Sequence, residues 1–89
     1  MVNWEIRFKK TAKKDAERLA ASGLKPKAQS LLKFIAEDPF KVPPPCEKLI
    51  GDLAGLFSRR INLKHRLVYK VVPEMHQIEV FRMWSHYGD

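Results

Sequence analysis

Residues 56–84, LFSRRINLKHRLVYKVVPEMHQIEVFRMW, decide the fold. From Leu56 to Leu63, Phe57, Arg59, Ile61 and Leu63 alternate with Ser58, Arg60 and Asn62. From Arg66 to Val72, Leu67, Tyr69 and Val71 alternate with Arg66, Val68 and Lys70. Pro73-Glu74-Met75-His76 reads as a turn. The run Gln77 to Trp84 then sets Ile78, Val80, Arg82 and Trp84 against Glu79, Phe81 and Met83. A two-residue period belongs to a strand with one face buried, so this stretch predicts a β-meander. Whether Arg60 and Arg66 share a face depends on the connection around Leu63 to His65. A two-residue loop with regular pairing sets them on opposite faces, whereas a three-residue loop or a bulge brings them together.

Upstream, Trp4, Ile6 and Phe8 alternate with Glu5 and Arg7, which predicts a short strand. Thr11 is a candidate cap for a helix running to about Ser22, where Gly23 stops it, with a shallow stripe of Ala12, Ala16, Leu19 and Ala20. Leu24, Ala28, Leu31, Leu32 and Ile35 recur at the spacing of a buried helix face. Pro26 is tolerated in the first turn of that second helix, expected over about 25–37, and Pro39 ends it. Residues 39–46, PFKVPPPC, hold four of the six prolines and read as a stiff extended connector. Cys46, at its end, reads as a packed small residue. The expected fold is α+β: two N-terminal helices packed on one face of a mainly antiparallel sheet, in a single domain spanning 1–89.

Length and composition bound the function. The 89 residues suffice for one modest core, which excludes an enzyme carrying its own nucleotide-binding domain. One cysteine excludes an internal disulfide framework. No apolar run approaches the roughly 20 residues needed to cross a bilayer, so no membrane partner is expected. MVNWEIRFKK lacks the apolar core of a secretory signal, and the expectation is a cytoplasmic protein. Lys and Arg total 17 against 10 Asp and Glu, a formal charge of +7, which suits a polyanionic partner. Lysines dominate the helical part, whereas Arg59, Arg60, Arg66 and Arg82 lie on expected strands, and the rigid guanidinium fork matches phosphate. No phosphate-binding glycine loop is present, and no His, Asp or Glu pair has metal-ligand spacing on a helix face. Neither a cofactor nor a metal is expected.

Glu47, Arg60, Arg66, His86 and Tyr87 are the residue types that metal-free RNA cleavage needs. In that chemistry a base takes the 2′-OH proton, cations stabilise the phosphorane, and an acid protonates the leaving 5′-oxygen. Glu47 suits the base, the arginines the phosphate and His86 the acid, while Tyr87 suits orienting or stacking on a base. Each also has an ordinary structural reading. Glu47 beside Lys48 fits an exposed loop carboxylate, and Arg66 is placed to pair with Glu79 across strands. Arg59 and Arg60 fit one inward stem and one solvent-facing residue. His86 fits a solvated tail, and His65 and His76 fall in expected turns.

Glu47-Lys48-Leu49, then Leu53-Ala54-Gly55-Leu56-Phe57-Ser58-Arg59-Arg60-Ile61, His65-Arg66-Leu67-Val68-Tyr69 and the closing His86-Tyr87 resemble the YoeB/Txe toxins of the RelE superfamily. The resemblance implies a RelE-like fold and a ribosome-dependent, metal-independent endoribonuclease that cuts mRNA in the A site and stops translation. It implies Glu47 as base, Arg60 and Arg66 as phosphate-contacting catalytic residues, and His86 as general acid with Tyr87 beside it. Lys48 and Arg59 are implied as RNA contacts, and Arg82 joins them as a basic residue of the last strand. The implied partners are a cognate antitoxin, the ribosome and mRNA. This chain places Met83-Trp84-Ser85 between Arg82 and His86, where shorter relatives close more tightly, and carries Gly88-Asp89 past Tyr87. Two other functions suit a small basic domain of this fold: a ParE-like inhibitor of gyrase, and a non-catalytic module that docks on ribosomal RNA.

Overall fold

The chain folds as β1 (Glu5–Phe8), α1 (Lys10–Ala21), α2 (Lys25–Glu37), β2 (Cys46–Lys48), β3 (Leu56–Arg60), β4 (Arg66–Val72) and β5 (Gln77–Arg82), with a 3₁₀ turn, Pro73–Met75, before β5. The computed structural model describes residues 3–40, 46–49, 51, 55–62 and 65–84. The expected packing of the Cys46 side chain and the conformation of residues 41–45 lie outside what is described. The sheet runs in the order β1-β5-β4-β3-β2. Three of its pairings are antiparallel, and β1 joins β5 in parallel.

Both helices form close to where their punctuation puts them. Thr11 does not cap α1: the cap position is Lys9, which makes no side-chain cap bond, and Thr11 lies inside the first turn. Gly23 takes φ +77, which a side chain would disfavour. The turn it makes lets the Leu24 N–H reach the Leu19 carbonyl at 2.9 Å. Ala12 and Leu19 of α1 and Ala28, Leu31 and Ile35 of α2 pack against Leu67, Tyr69, Ile78 and Val80 of the sheet. Fully burying a side chain the size of Leu or Ile contributes roughly 1.5–3 kcal/mol, so this single seam holds the helices to the sheet.

β3 and β4 pair with Arg60 opposite Arg66. The odd number of residues between them keeps the two on one face, as a three-residue loop would. The Ile61 and Asn62 N–H groups both donate to the His65 carbonyl, at 2.8 and 3.2 Å, and close the connection. Between β4 and β5 the register shifts: Tyr69 faces Val80, but Val68 faces Arg82, leaving Phe81 as an extra residue. This bulge breaks the alternation expected for Gln77 to Trp84. Met83, expected beside Glu79 and Phe81, instead turns into the core and is 2% exposed.

Candidate active site on the open face of the sheet

The helices cover one face of the sheet, and strand pleating presents Glu47, Ser58, Arg60, Arg66, Val68 and Lys70 on the other. Glu47 is cross-strand to Ser58, and Ser58 to Val68. Arg60 is cross-strand to Arg66. A Glu47 Oε2 to Arg66 Nη1 ion pair of 3.1 Å therefore runs diagonally across β3. Beneath it Ser58 and Val68 are buried, although neither α1 nor α2 covers this face. The Ser58 hydroxyl has no hydrogen-bond partner among the described residues. A small side chain at this point leaves room for Glu47 and Arg66 to meet above it. The Glu47 side chain remains 60% exposed, so its carboxylate is open to an approaching ligand.

Arg60 is exposed at the end of β3. Of the three residues expected in one site, Glu47 and Arg66 are in contact and Arg60 is in register with Arg66, while Arg60 also lines a hollow beside Lys27 and Phe34 of α2. Arg66 pairs with Glu47 and not with Glu79, which instead takes Lys9 at 3.2 Å. Lys48, next to Glu47, turns to the other face by the strand period and is exposed at the sheet edge. His86 and Tyr87 lie outside the described residues.

Two of the expected RNA contacts are engaged inside the protein. Arg59 is fully buried. Its Nε–H donates to the Tyr69 hydroxyl at 2.8 Å, and an Nη2–H donates to the Pro39 carbonyl at 3.0 Å. Its guanidinium lies 5.6 Å from the centre of the Phe34 ring. Its alternation with Phe57 and Ile61 already put Arg59 on the apolar side, and burial removes it from contact with RNA. The Arg82 Nε–H donates to Asp15 Oδ2 of α1 at 2.9 Å, with the side chain about a third exposed. The same carboxylate oxygen accepts the Met83 N–H at 3.0 Å, so Asp15 secures the end of β5. The sequence reading missed Asp15. The available signal was an acid beside the apolar stripe Ala12, Ala16, Leu19.

The two histidines of the turns stack on the two tryptophans. His65 lies 4.1 Å from Trp84, and His76, in the left-handed conformation at φ 54, lies 4.1 Å from Trp4. Among the described residues no three His, Cys, Asp or Glu side chains gather to hold a metal ion.

Two helices on a five-stranded mixed sheet, with an acid and two arginines on the uncovered face, make this a RelE-like α+β protein. The family of the YoeB-like toxin of bacterial type II toxin–antitoxin systems matches residues 8–87. Toxin YoeB of Streptomyces coelicolor (strain ATCC BAA-471 / A3(2) / M145) is 47% identical over 57 residues, which cover 64% of this chain and 66% of that relative. A YoeB/ParE toxin from Agrobacterium tumefaciens superposes with a TM-score of 0.85 at 29% identity, covering 93% of this chain and 99% of that one. The YoeB–YefM complex from Staphylococcus aureus gives a TM-score of 0.79 at 32% identity, covering 93% and 97%. The chain belongs to the YoeB-like toxin family.

Proposed function

We propose that this toxin is a ribosome-dependent endoribonuclease that cleaves mRNA without a metal ion and so arrests translation. The observation that supports this reading is the Glu47–Arg66 pair at 3.1 Å, with Arg60 directly across from Arg66 on the same open face. In the free protein the base and the phosphate ligand satisfy each other. When a scissile phosphate takes Arg66, the Glu47 carboxylate is released to accept the 2′-OH proton. The 2′-oxygen then attacks phosphorus, and Arg66 and Arg60 stabilise the charge that builds on the phosphoryl oxygens. The P–O5′ bond breaks as His86 donates a proton to the leaving oxygen, giving a 2′,3′-cyclic phosphate and a 5′-hydroxyl. Tyr87 orients the RNA beside it. The protein acts in the cytoplasm, where ribosomes translate.

The partner that silences it is a cognate antitoxin, a reading supported by the similar YoeB–YefM complex from Staphylococcus aureus. With a formal charge of +7, the toxin suits an acidic or amphipathic antitoxin segment that covers the open face or adds along a sheet edge.

Primer extension on ribosome-bound message tests the nuclease. Glu47→Gln keeps the shape and removes the base, so cleavage should fall on the order of a hundredfold or more. His86→Gln should lose much of the activity as well. Both variants should still bind ribosomes. If Glu47→Gln and Arg66→Ala arrest translation as well as the parent does, the protein is not this nuclease, and a toxin that acts by binding alone remains.

A further inference from the structure

Arg59 precedes the proposed phosphate ligand Arg60, yet its side chain ends in the core. A buried guanidinium is expensive to desolvate, and an apolar side chain of similar size would fill the same space. What an apolar side chain would not supply is the fork. Arg59 donates through Nε to the Tyr69 hydroxyl and through Nη2 to the Pro39 carbonyl. The Tyr69 hydroxyl donates to that same carbonyl at 2.8 Å, closing a ring of three bonds, two of which end on the Pro39 oxygen. Pro39 is where the chain leaves α2. Phe40 follows, and its ring packs edge-on against Phe57 at 5.5 Å. At Cys46 the chain rejoins the sheet, and its cross-strand partner is again Arg59.

Arg59 thus meets the same excursion twice, by side chain at residue 39 and by backbone at residue 46. The next residue is Glu47. β2 is three residues long and lies at the sheet edge, too short to hold its own register. We infer that Arg59 is a positioning residue for Glu47: it clamps Pro39 with Tyr69 and pairs with Cys46, and so anchors the two ends of the excursion after which Glu47 sets its carboxylate against Arg66. The inference rests on Glu47 being the base proposed above.

The test uses the full chain with Tyr69→Phe, Arg59→Met and Arg59→Lys. Cleavage of ribosome-bound message gives kcat and KM, and hydrogen exchange follows the Leu49 N–H, which donates to the Leu56 carbonyl beside β2 at 3.0 Å. Misplacing a catalytic group by about an ångström costs on the order of a hundredfold. Arg59→Met should lose about that much in kcat and Tyr69→Phe about tenfold, with KM and the salt dependence of ribosome binding unchanged. Exchange at Leu49 should quicken in both variants while β4 and β5 amides hold. Lysine keeps the charge but cannot grip two acceptors with one rigid fork, so Arg59→Lys should not rescue kcat. A raised KM with a shallower salt slope, or rescue by lysine, would mean that Arg59 contacts RNA and would overturn the inference. Unchanged Leu49 exchange in Tyr69→Phe would overturn it too, and this variant decides if Arg59→Met does not fold. Should Glu47→Gln cleave like the parent, Glu47 is not the base, while the exchange measurement still reports whether the clamp holds β2.

Discussion

On the helix side of the sheet, Arg59 and Arg82 both end on oxygens of the protein, Arg59 fully buried and Arg82 partly so. On the open side, Arg60 is exposed and Arg66 meets a carboxylate that is itself largely in water. All four are strand arginines of one sheet, and Arg59 and Arg60 are consecutive. The pleat separates their tasks. One residue of register decides whether a guanidinium braces the core or faces solvent, and nothing in the residue type marks the difference. A count of basic residues overstates the free positive surface, because two of the six arginines are already engaged by α1 and the α2 exit.

The division can be broken most severely at Asp15. Asp15→Ala removes the acceptor of both the Arg82 side chain and the Met83 N–H, and losing one partner of a buried pair costs several kcal/mol. Since Arg82 is partly exposed, about 3 kcal/mol is expected, read from the urea midpoint at unchanged m-value. Arg66→Ala is the converse case. Cleavage should fall on the order of a hundredfold, while stability moves by less than about 1 kcal/mol because its partner is exposed. Stability lost in step with activity would show that Arg66 braces the sheet as well. Tyr69→Phe removes one buried hydroxyl and should cost about 1 kcal/mol in the same titration. The smallest change is expected at Lys9→Ala, which breaks the surface pair with Glu79 and should shift stability by no more than about 0.5 kcal/mol.

Much of this division was legible in the pattern of residues. Phe57, Arg59 and Ile61 alternate with Ser58 and Arg60, and Leu67, Tyr69 and Val71 with Arg66 and Val68, which sorts both strands onto their faces. Gly23, Pro26 and Pro39 bound the helices because each imposes or forbids a backbone conformation locally. β2 was not legible. Cys-Glu-Lys is too short to show a period, and pairing with β3 makes it a strand. The bulge at Phe81 escaped because Phe81 and Met83 are both apolar and fit either phase. Arg59 was sorted correctly by period and misread by charge, since a buried guanidinium requires acceptors that lie 10 and 20 residues away in sequence. The gathering of Glu47, Arg60 and Arg66 could be expected from the resemblance, but it depended on a loop parity that only the folded connection supplies.

The parallel pairing of β1 with β5 also bears on the order of events during synthesis. β5 lies between β1 and β4, and Glu5 finds its partner only at Gln77. A growing chain that has not yet released residues 77–82 from the exit tunnel has helices but only part of their seat, Leu67 and Tyr69 without Ile78 and Val80. Its first strand has nothing to pair with, and non-local closure of this kind is slow. The toxin therefore folds as a late, nearly complete unit, and nascent chains stalled before Gln77 should be cut readily by protease. Release of the last strand is thus also the moment at which an antitoxin can first find the folded toxin.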